Sequence, residues 1–206
     1  MNVSAPILDI IPGPRGLVLT ALTRLVGAHT GREWAAQAGV PTATTARILA
    51  DLVDAGLVEA RPAGRAVLYQ MKRDHLLSKA VVALATVRFD LVTDLRQQLQ
   101  QWVQPAVAAW LFGSAARGDG NRESDLDLFL VAEDPTAEVW HKQVGDLADL
   151  VERWTGNKVQ VVEHTVSSFL ALEAERSPLT AALRTDGIEL VNGCWVAIAT
   201  AGQRAK

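Results

Sequence analysis

Apolar residues recur at helical spacing through the first third of the chain. In RGLVLTALTRLVGAHTG, Leu17, Ala21, Leu22 and Leu25 fall on one helical face, and Gly27 and Gly31 end the run. Thr30 is placed to cap a short second helix, GREWAAQAG, whose Trp34, Ala35 and Ala38 share a side before Gly39 stops it. Thr42 is placed to cap a third, ATTARILADLVDAG, with Ala46, Leu49, Leu52 and Val53 inward and Gly56 as its stop. The period then changes. Leu57 to Arg61 and Ala66 to Met71 read as two short strands around a Pro-Ala-Gly-Arg turn, a β-hairpin.

The next segment, DHLLSKAVVALATVRFDLVTDLRQQLQQWV, carries Leu77, Val81, Leu84, Ala85, Val87, Leu91, Leu95 and Leu99 as one stripe. It predicts a long helix capped by Asp74 and ended before Pro105, linking two domains. The stripe is either core or a dimer seam. From Ala106 the pattern is that of a mixed α/β domain. Strands are predicted at Val107–Phe112, Leu126–Val131, Lys158–Glu163 and Ile188–Val191. Helices are predicted at Thr136–Thr155, Val166–Glu175 and Pro178–Thr185, the first with Val139, Val144, Leu147, Leu150, Val151 and Trp154 inward. The expected fold class is therefore α+β in two domains. Residues 1–73 form a mainly α domain with a hairpin, 74–105 a linker helix, 106–192 a mixed sheet with helices, and 193–206 a tail expected to be largely disordered.

Composition narrows the class. The chain has 206 residues, 49% of them hydrophobic, which is enough for a sizeable core. A net charge of -3 argues against a molecule that is basic all over. The charge is uneven: residues 1–75 hold eight Lys/Arg against six Asp/Glu, and the remainder twelve against seventeen. Any nucleic-acid surface is expected in the first third. Cys194 is the single cysteine, so an intramolecular disulfide and a cysteine-rich zinc site are excluded. The start, MNVSAPILDIIPGPRG, lacks a basic segment before its short apolar run, so no signal peptide, no membrane partner and a cytoplasmic protein are expected. Six tryptophans are an unusual share of few aromatics, with no function attached.

The chemistry gathers in LFGSAARGDGNRESDLDLFLV, Leu111 to Val131. In a strand, residues i and i+2 point to one face, so Asp125 and Asp127 project together while Leu126 and Leu128 enter the core. Buried carboxylates are costly unless something pairs with them. Two convergent carboxylates suit Mg²⁺ or Mn²⁺ with positions open for phosphate oxygens. Gly113 lets the backbone approach a phosphate closely. The Ser114 hydroxyl and the N–H groups after it can donate to that phosphate, and Arg117 can pair with a terminal one. Ser124, just before the aspartates, belongs to the same nucleotide-binding set.

Gly113-Ser114, ten residues, then Asp125-Leu126-Asp127 resembles the signature of the polymerase-β-like nucleotidyltransferases. The GSAARG and SDLDL stretches are most similar to the small bacterial minimal members. The resemblance spans residues 106–192. It implies a nucleoside triphosphate seated on Gly113 and Ser114, metal held by the catalytic Asp125 and Asp127, and transfer of a nucleoside monophosphate to an acceptor hydroxyl. It also implies a third carboxylate on a later strand. Here that strand is KVQVVEH, and the position between two apolar residues holds Gln160, a neutral amide. Glu163 lies three residues on and on the opposite face. His164 has the parity of Gln160, and Glu123 and Glu189 are the other carboxylates to weigh.

In the first third, LADLVDAGLVEARPAGRAVLYQM resembles the recognition-helix end, strand, wing turn and returning strand of MarR- and ArsR-like winged helix-turn-helix regulators, over residues 15–73. The resemblance implies double-stranded DNA as partner. Thr42, Thr44, Thr45 and Arg47 would then lead the recognition helix into the major groove, with Arg61 and Arg65 flanking the wing turn. Arg32 opens the preceding helix, and a homodimer reading a palindrome is expected. A protein-interaction role for the winged helix is the alternative.

Two functions stay open. One is an enzyme that transfers a nucleoside monophosphate to a protein, an RNA end or a small molecule. The other is a DNA-binding regulator or antitoxin whose second domain only senses nucleotide, as Gln160 suggests. The resemblance to minimal nucleotidyltransferases adds a helical toxin as a partner for the second.

Overall fold

The structure, a computed structural model, describes residues 1–204. Two compact units divide the described residues: Ala5–Arg88 is one, and Met1–Ser4 with residues 89–204 is the other.

The first unit begins with α1 (Ile7–Ile10) and α2 (Pro14–Arg24), the latter started by Pro14 at its first position, where a missing N–H costs nothing. A two-residue strand β1 (His29–Thr30) leads into α3 (Gly31–Ala38). Thr30 and Glu33 form a reciprocal capping box, and Gly39 closes the helix in the left-handed conformation. A short turn then gives α4 (Thr42–Asp54). The hairpin is β2 (Val58–Ala63) and β3 (Ala66–Met71), in a sheet of order β1-β3-β2. The Ala63–Ala66 pairing leaves Gly64-Arg65 as a two-residue turn, with Gly64 at φ +61°. Strand β2 thus runs through Pro62 into the expected turn. It is an edge strand, where a proline removes no ladder bond. Trp34 ties helices to sheet: its ring is buried and its Nε1 donates to the Tyr69 carbonyl at 3.0 Å.

Helix α5 (Leu76–Gln100) gives its first half to this unit, through Val81, Val82, Leu84 and Ala85, and its second half to the other, through Leu91, Val92, Leu95 and Leu99. The expected separate linker is therefore divided between two cores. Its stripe is partly core, while Leu77 stays exposed. The Leu77 N–H is accepted by the His75 ring at 3.2 Å, a cap expected from Asp74.

In the second unit, β4 (Ala108–Phe112), α6 (Gly113–Arg117), β5 (Leu126–Ala132), α7 (Glu138–Thr155), β6 (Val159–Thr165), α8 (Val166–Ala174), α9 (Pro178–Thr185), β7 (Ile188–Glu189) and α10 (Cys194–Arg204) follow in order. The sheet order is β6-β5-β4-β7. Strand β4 is antiparallel to β5 and β7, and β5 is parallel to β6. One face, with Leu111, Leu126, Leu128 and Leu130, packs with α7 and the second half of α5. The other, with Trp110, Phe129 and Val131, packs with α8, α9 and α10.

Three expectations change. In α4, Leu49 and Leu52 are buried as expected, but Thr45 and Ile48 join them and Ala46 is exposed. In α7, Val144, Leu147 and Val151 are buried as expected, but at the two ends Trp140 and Thr155 are buried while Val139 and Trp154 are each 40% exposed. The tail is helical: Cys194 and Ile198 are buried, and Trp195 lies 5.3 Å from Trp110 with the Arg184 guanidinium 3.8 Å over its ring. Residues 205 and 206 lie outside the described residues. Tryptophans at 34, 110 and 140 are fully buried, so half of the tryptophan bias is core. Among the described residues, no helix is long and apolar enough to cross a membrane.

Leu49 is wholly buried in the first unit. Leu49→Ala is expected to lower stability by about 2–5 kcal/mol, and Thr30→Ala by about 1 kcal/mol. Urea unfolding followed by circular dichroism checks both, and a Thr30→Ala loss as large as that of Leu49→Ala would contradict the assignment of its role to capping.

Candidate functional site

At one end of the second sheet, three strands meet in a single row. Phe112 of β4 pairs with Asp127 of β5, and Asp127 pairs with Gln160 of β6. Where β4 ends, Gly113 turns at φ +68°, and a Cβ built on it would lie 2.1 Å from Asp127 Oδ2. Glycine is required here twice, for the left-handed backbone and for the close approach. Asp125 and Asp127 are both half-buried, while Leu126 between them is buried on the opposite face, as strand parity demands. The Asp127 carboxyl is raised above the ordinary carboxylate range, first by partial burial and then by the charge of Asp125, with Arg117 opposing.

Gln160 fills the third position. Its Nε2 donates to Asp125 Oδ2 at 2.6 Å. Of the other carboxylates, Glu123 is exposed on the loop before β5, and Glu163 and Glu189 are engaged elsewhere. Glu163 faces the opposite side and accepts from the Trp140 indole N–H. Glu189 accepts the Gly193 N–H at 3.2 Å. His164 keeps the expected parity, but it sits four residues, about 13 Å, farther along β6. There it stacks on Phe129 at 5.2 Å and bonds Ser168. Among the described residues, no three His, Cys, Asp or Glu side chains gather to hold a metal ion. Asp125 and Asp127 are thus the two carboxylates here that could share a cation.

The loop between α6 and β5 shapes the rest. A Cβ on Gly120 would meet Ser114 Oγ at 2.9 Å and Ser124 Oγ at 3.3 Å, so this glycine lets both hydroxyls border one space. Ser124 Oγ accepts the Asn121 N–H at 2.9 Å. The Ser124 carbonyl accepts from Asn157 Nδ2 at 2.9 Å, and Asn157 is almost fully buried. Asn157, at the end of α7, thus fixes a loop more than thirty residues away.

In the first unit, Thr42 at the start of α4, Arg32 at the start of α3, and Arg65 and Tyr69 of the hairpin line one depression of about 740 Å³ with Thr30 and Val67. Arg47 is exposed on α4 and Thr44 is half-buried. Thr45 leaves the expected DNA set: it is wholly buried and its hydroxyl donates to the Val40 carbonyl. Arg61 lines a different depression, beside Lys72 and Arg73, and is paired with Glu59 at 2.8 Å.

With this geometry in hand, residues 93–176 match the family model of the polymerase beta nucleotidyltransferase domain, and residues 16–62 match that of the IclR helix-turn-helix domain. The chain joins a helix-turn-helix domain to a polymerase-beta-type nucleotidyltransferase domain. The nucleotidyltransferase match reaches back into α5, before the expected boundary at 106. The helix-turn-helix match takes in α2, α3, α4 and most of β2. No curated protein matches the chain. Two solved structures are similar in part. One is of a toxin–antitoxin MntA-HpeT mutant, 18% identical, and the other is of a toxin–antitoxin with AMP-PNP, 20% identical. Each match covers 55% of this chain and 88% of the other, at a TM-score of 0.36, too loose a likeness to carry an argument.

Within the nucleotidyltransferase domain, Arg117 is tied to Asp119 at 3.0 Å, a largely exposed pair that water screens. Gly120 and Asn157 escaped sequence reading. A glycine in a polar loop and an asparagine after a helix are both ordinary, and only their distant partners give them a role. Cys194 is buried, which pushes its thiol up to about 11 and leaves it unreactive.

Gly113→Ala is expected to destabilise the protein by at least about 1 kcal/mol through the left-handed backbone alone, and to displace Asp127 as well. Gly156 also has positive φ but open space beside it, so Gly156→Ala should show the backbone cost without the displacement. Thermal unfolding of both variants checks this. Equal losses would mean that the contact with Asp127 contributes nothing.

Proposed function

We propose that the protein binds duplex DNA through its helix-turn-helix domain and a Mg²⁺-bound nucleoside triphosphate through its nucleotidyltransferase domain, and that it senses the nucleotide rather than transferring it. One observation carries this reading: Gln160 occupies the row beside Asp127 and bonds Asp125. An amide cannot serve as a base or as an anionic ligand. The Gly113 turn, the Ser114 and Ser124 hydroxyls and the paired aspartates support nucleotide binding. Asp125 and Asp127 would hold Mg²⁺ or Mn²⁺, which when bound neutralises phosphate charge. Ser114 and Ser124 would donate to phosphate oxygens, and Arg117, released from Asp119, would meet the terminal phosphate.

For DNA, Thr42, Thr44 and Arg47 would approach base edges or phosphates from α4, and Arg65 and Arg32 would hold the backbone beside them. A homodimer on a palindromic site fits the modest charge of one such unit. Residual transfer to an acceptor is the second reading, favoured by the intact Gly113-Ser114 and Asp125-Leu126-Asp127. A helical toxin partner rests on the resemblance to minimal nucleotidyltransferases alone.

Calorimetric titration of each nucleoside triphosphate, with and without Mg²⁺, tests the nucleotide site. Binding is expected to need Mg²⁺ and to vanish in the Asp125→Asn/Asp127→Asn double variant. No binding by the wild type would sink the sensor and the enzyme readings together. For DNA, Arg65→Ala is expected to weaken binding across sequences and to reduce the slope of log affinity against log salt by about 1. Fluorescence anisotropy on duplex DNA reads both, and an unchanged slope would remove Arg65 from the interface.

A further inference from the structure

We infer that the aspartate pair takes a single divalent cation, and that the Gln160 carboxamide occupies the place from which a second would be held. This rests on the nucleotide-binding reading above and deepens it.

Phosphoryl-transfer sites that use two metals hold them about 3.5–4 Å apart, one on each side of the reacting phosphorus. Two dications that close repel strongly, so the protein must supply anionic oxygens facing both. Here Asp125 and Asp127 supply them from one face of β5. A third acid reaching the same space would have to come from β6, the strand that runs parallel beside β5. At the register position that reaches it stands Gln160.

The amide does more than leave a charge out. Its Nε2 donates one hydrogen bond to Asp125 Oδ2 at 2.6 Å. A carboxylate oxygen that accepts a short hydrogen bond has part of its charge satisfied and a lone pair engaged, so it is a poorer metal ligand. Only the NH₂ end of the amide can make this bond, because the Oε1 end would set acceptor against acceptor. Turning the amide to offer Oε1 to a cation would give up the bond and provide a neutral ligand in exchange.

Among the described residues, no third carboxylate gathers with Asp125 and Asp127. Glu163 is held by Trp140 on the far face. Glu189 caps the Gly193 N–H. Asp119 is paired with Arg117. Arg117, held chiefly by Asp119, also feels the charges of Asp186 and Asp127, which places a cation beside the aspartate pair. The remaining ligand capacity suits one cation shared by Asp125, Asp127 and the phosphate tail. The nucleotide is then held, but no metal faces an acceptor hydroxyl.

Manganese counts the sites directly. Free Mn²⁺ is measured by electron paramagnetic resonance while the ion is titrated into protein saturated with a non-hydrolysable nucleoside triphosphate analogue. The wild type is expected to bind one Mn²⁺ per protomer, and Gln160→Asp two. Should Gln160→Asp not fold, Gln160→Glu carries the same expectation. Two ions on the wild type would overturn the inference while leaving nucleotide binding intact. One ion on a folded acidic variant would show that residue 160 does not set the number, and would overturn it as well. A wild type that binds neither analogue nor Mn²⁺ would remove the inference together with the reading it rests on.

Discussion

The second unit is organised by the row of residues that crosses its sheet from Phe112 through Asp127 to Gln160. Register in a sheet is all or none: a slip of one residue would turn every side chain of the strand to the other face. Leu126, Leu128 and Leu130 on one side, with Phe129 and Val131 on the other, are all buried and lock that register. The same lock places Asp127 at the sheet end, against the Cβ-less Gly113. Apolar packing on both faces thus positions two charged groups that would otherwise destabilise the strand.

Around this row the polar parts are held by contacts that are distant in the chain. Asn157 grips the loop carrying Ser124, and Gly120 lets Ser114 and Ser124 approach. Gln160 then gives Asp125 a neutral partner. A buried-edge carboxylate with a hydrogen-bond donor is tolerated without a cation, which is how the site can form ahead of any ligand. The consequence is a row in which a neutral amide stands beside two carboxylates.

The helix-turn-helix domain shows a different economy. Its core is small, so capping and anchoring matter: the Thr30–Glu33 box sets the start of α3, and Trp34 fastens that helix to β3 through the Tyr69 carbonyl. The same arrangement brings the starts of α3 and α4 alongside the wing turn, which gathers Arg32, Thr42 and Arg65 at one depression. Arg61, on the same hairpin but paired with Glu59, is taken out of that group.

The sequence alone was sufficient for most of the helices and strands and for the parity that sets Asp125 and Asp127 on one face. Each of these rests on local chemistry: glycine stops, a capping threonine, a period of two. Tertiary structure decided how far the buried stripes of α4 and α7 reach at their ends, since helical spacing names the residues that share a face but not where that face stops meeting a partner. Thr45, a DNA candidate by resemblance, is core, and Trp140 is core where Val139 is expected. Only the fold could draw the tail into the aromatic cluster through Trp195, and only the fold could give Asn157 and Gly120 their roles. Their partners lie tens of residues away or across a loop, and such contacts leave no periodic trace in the chain.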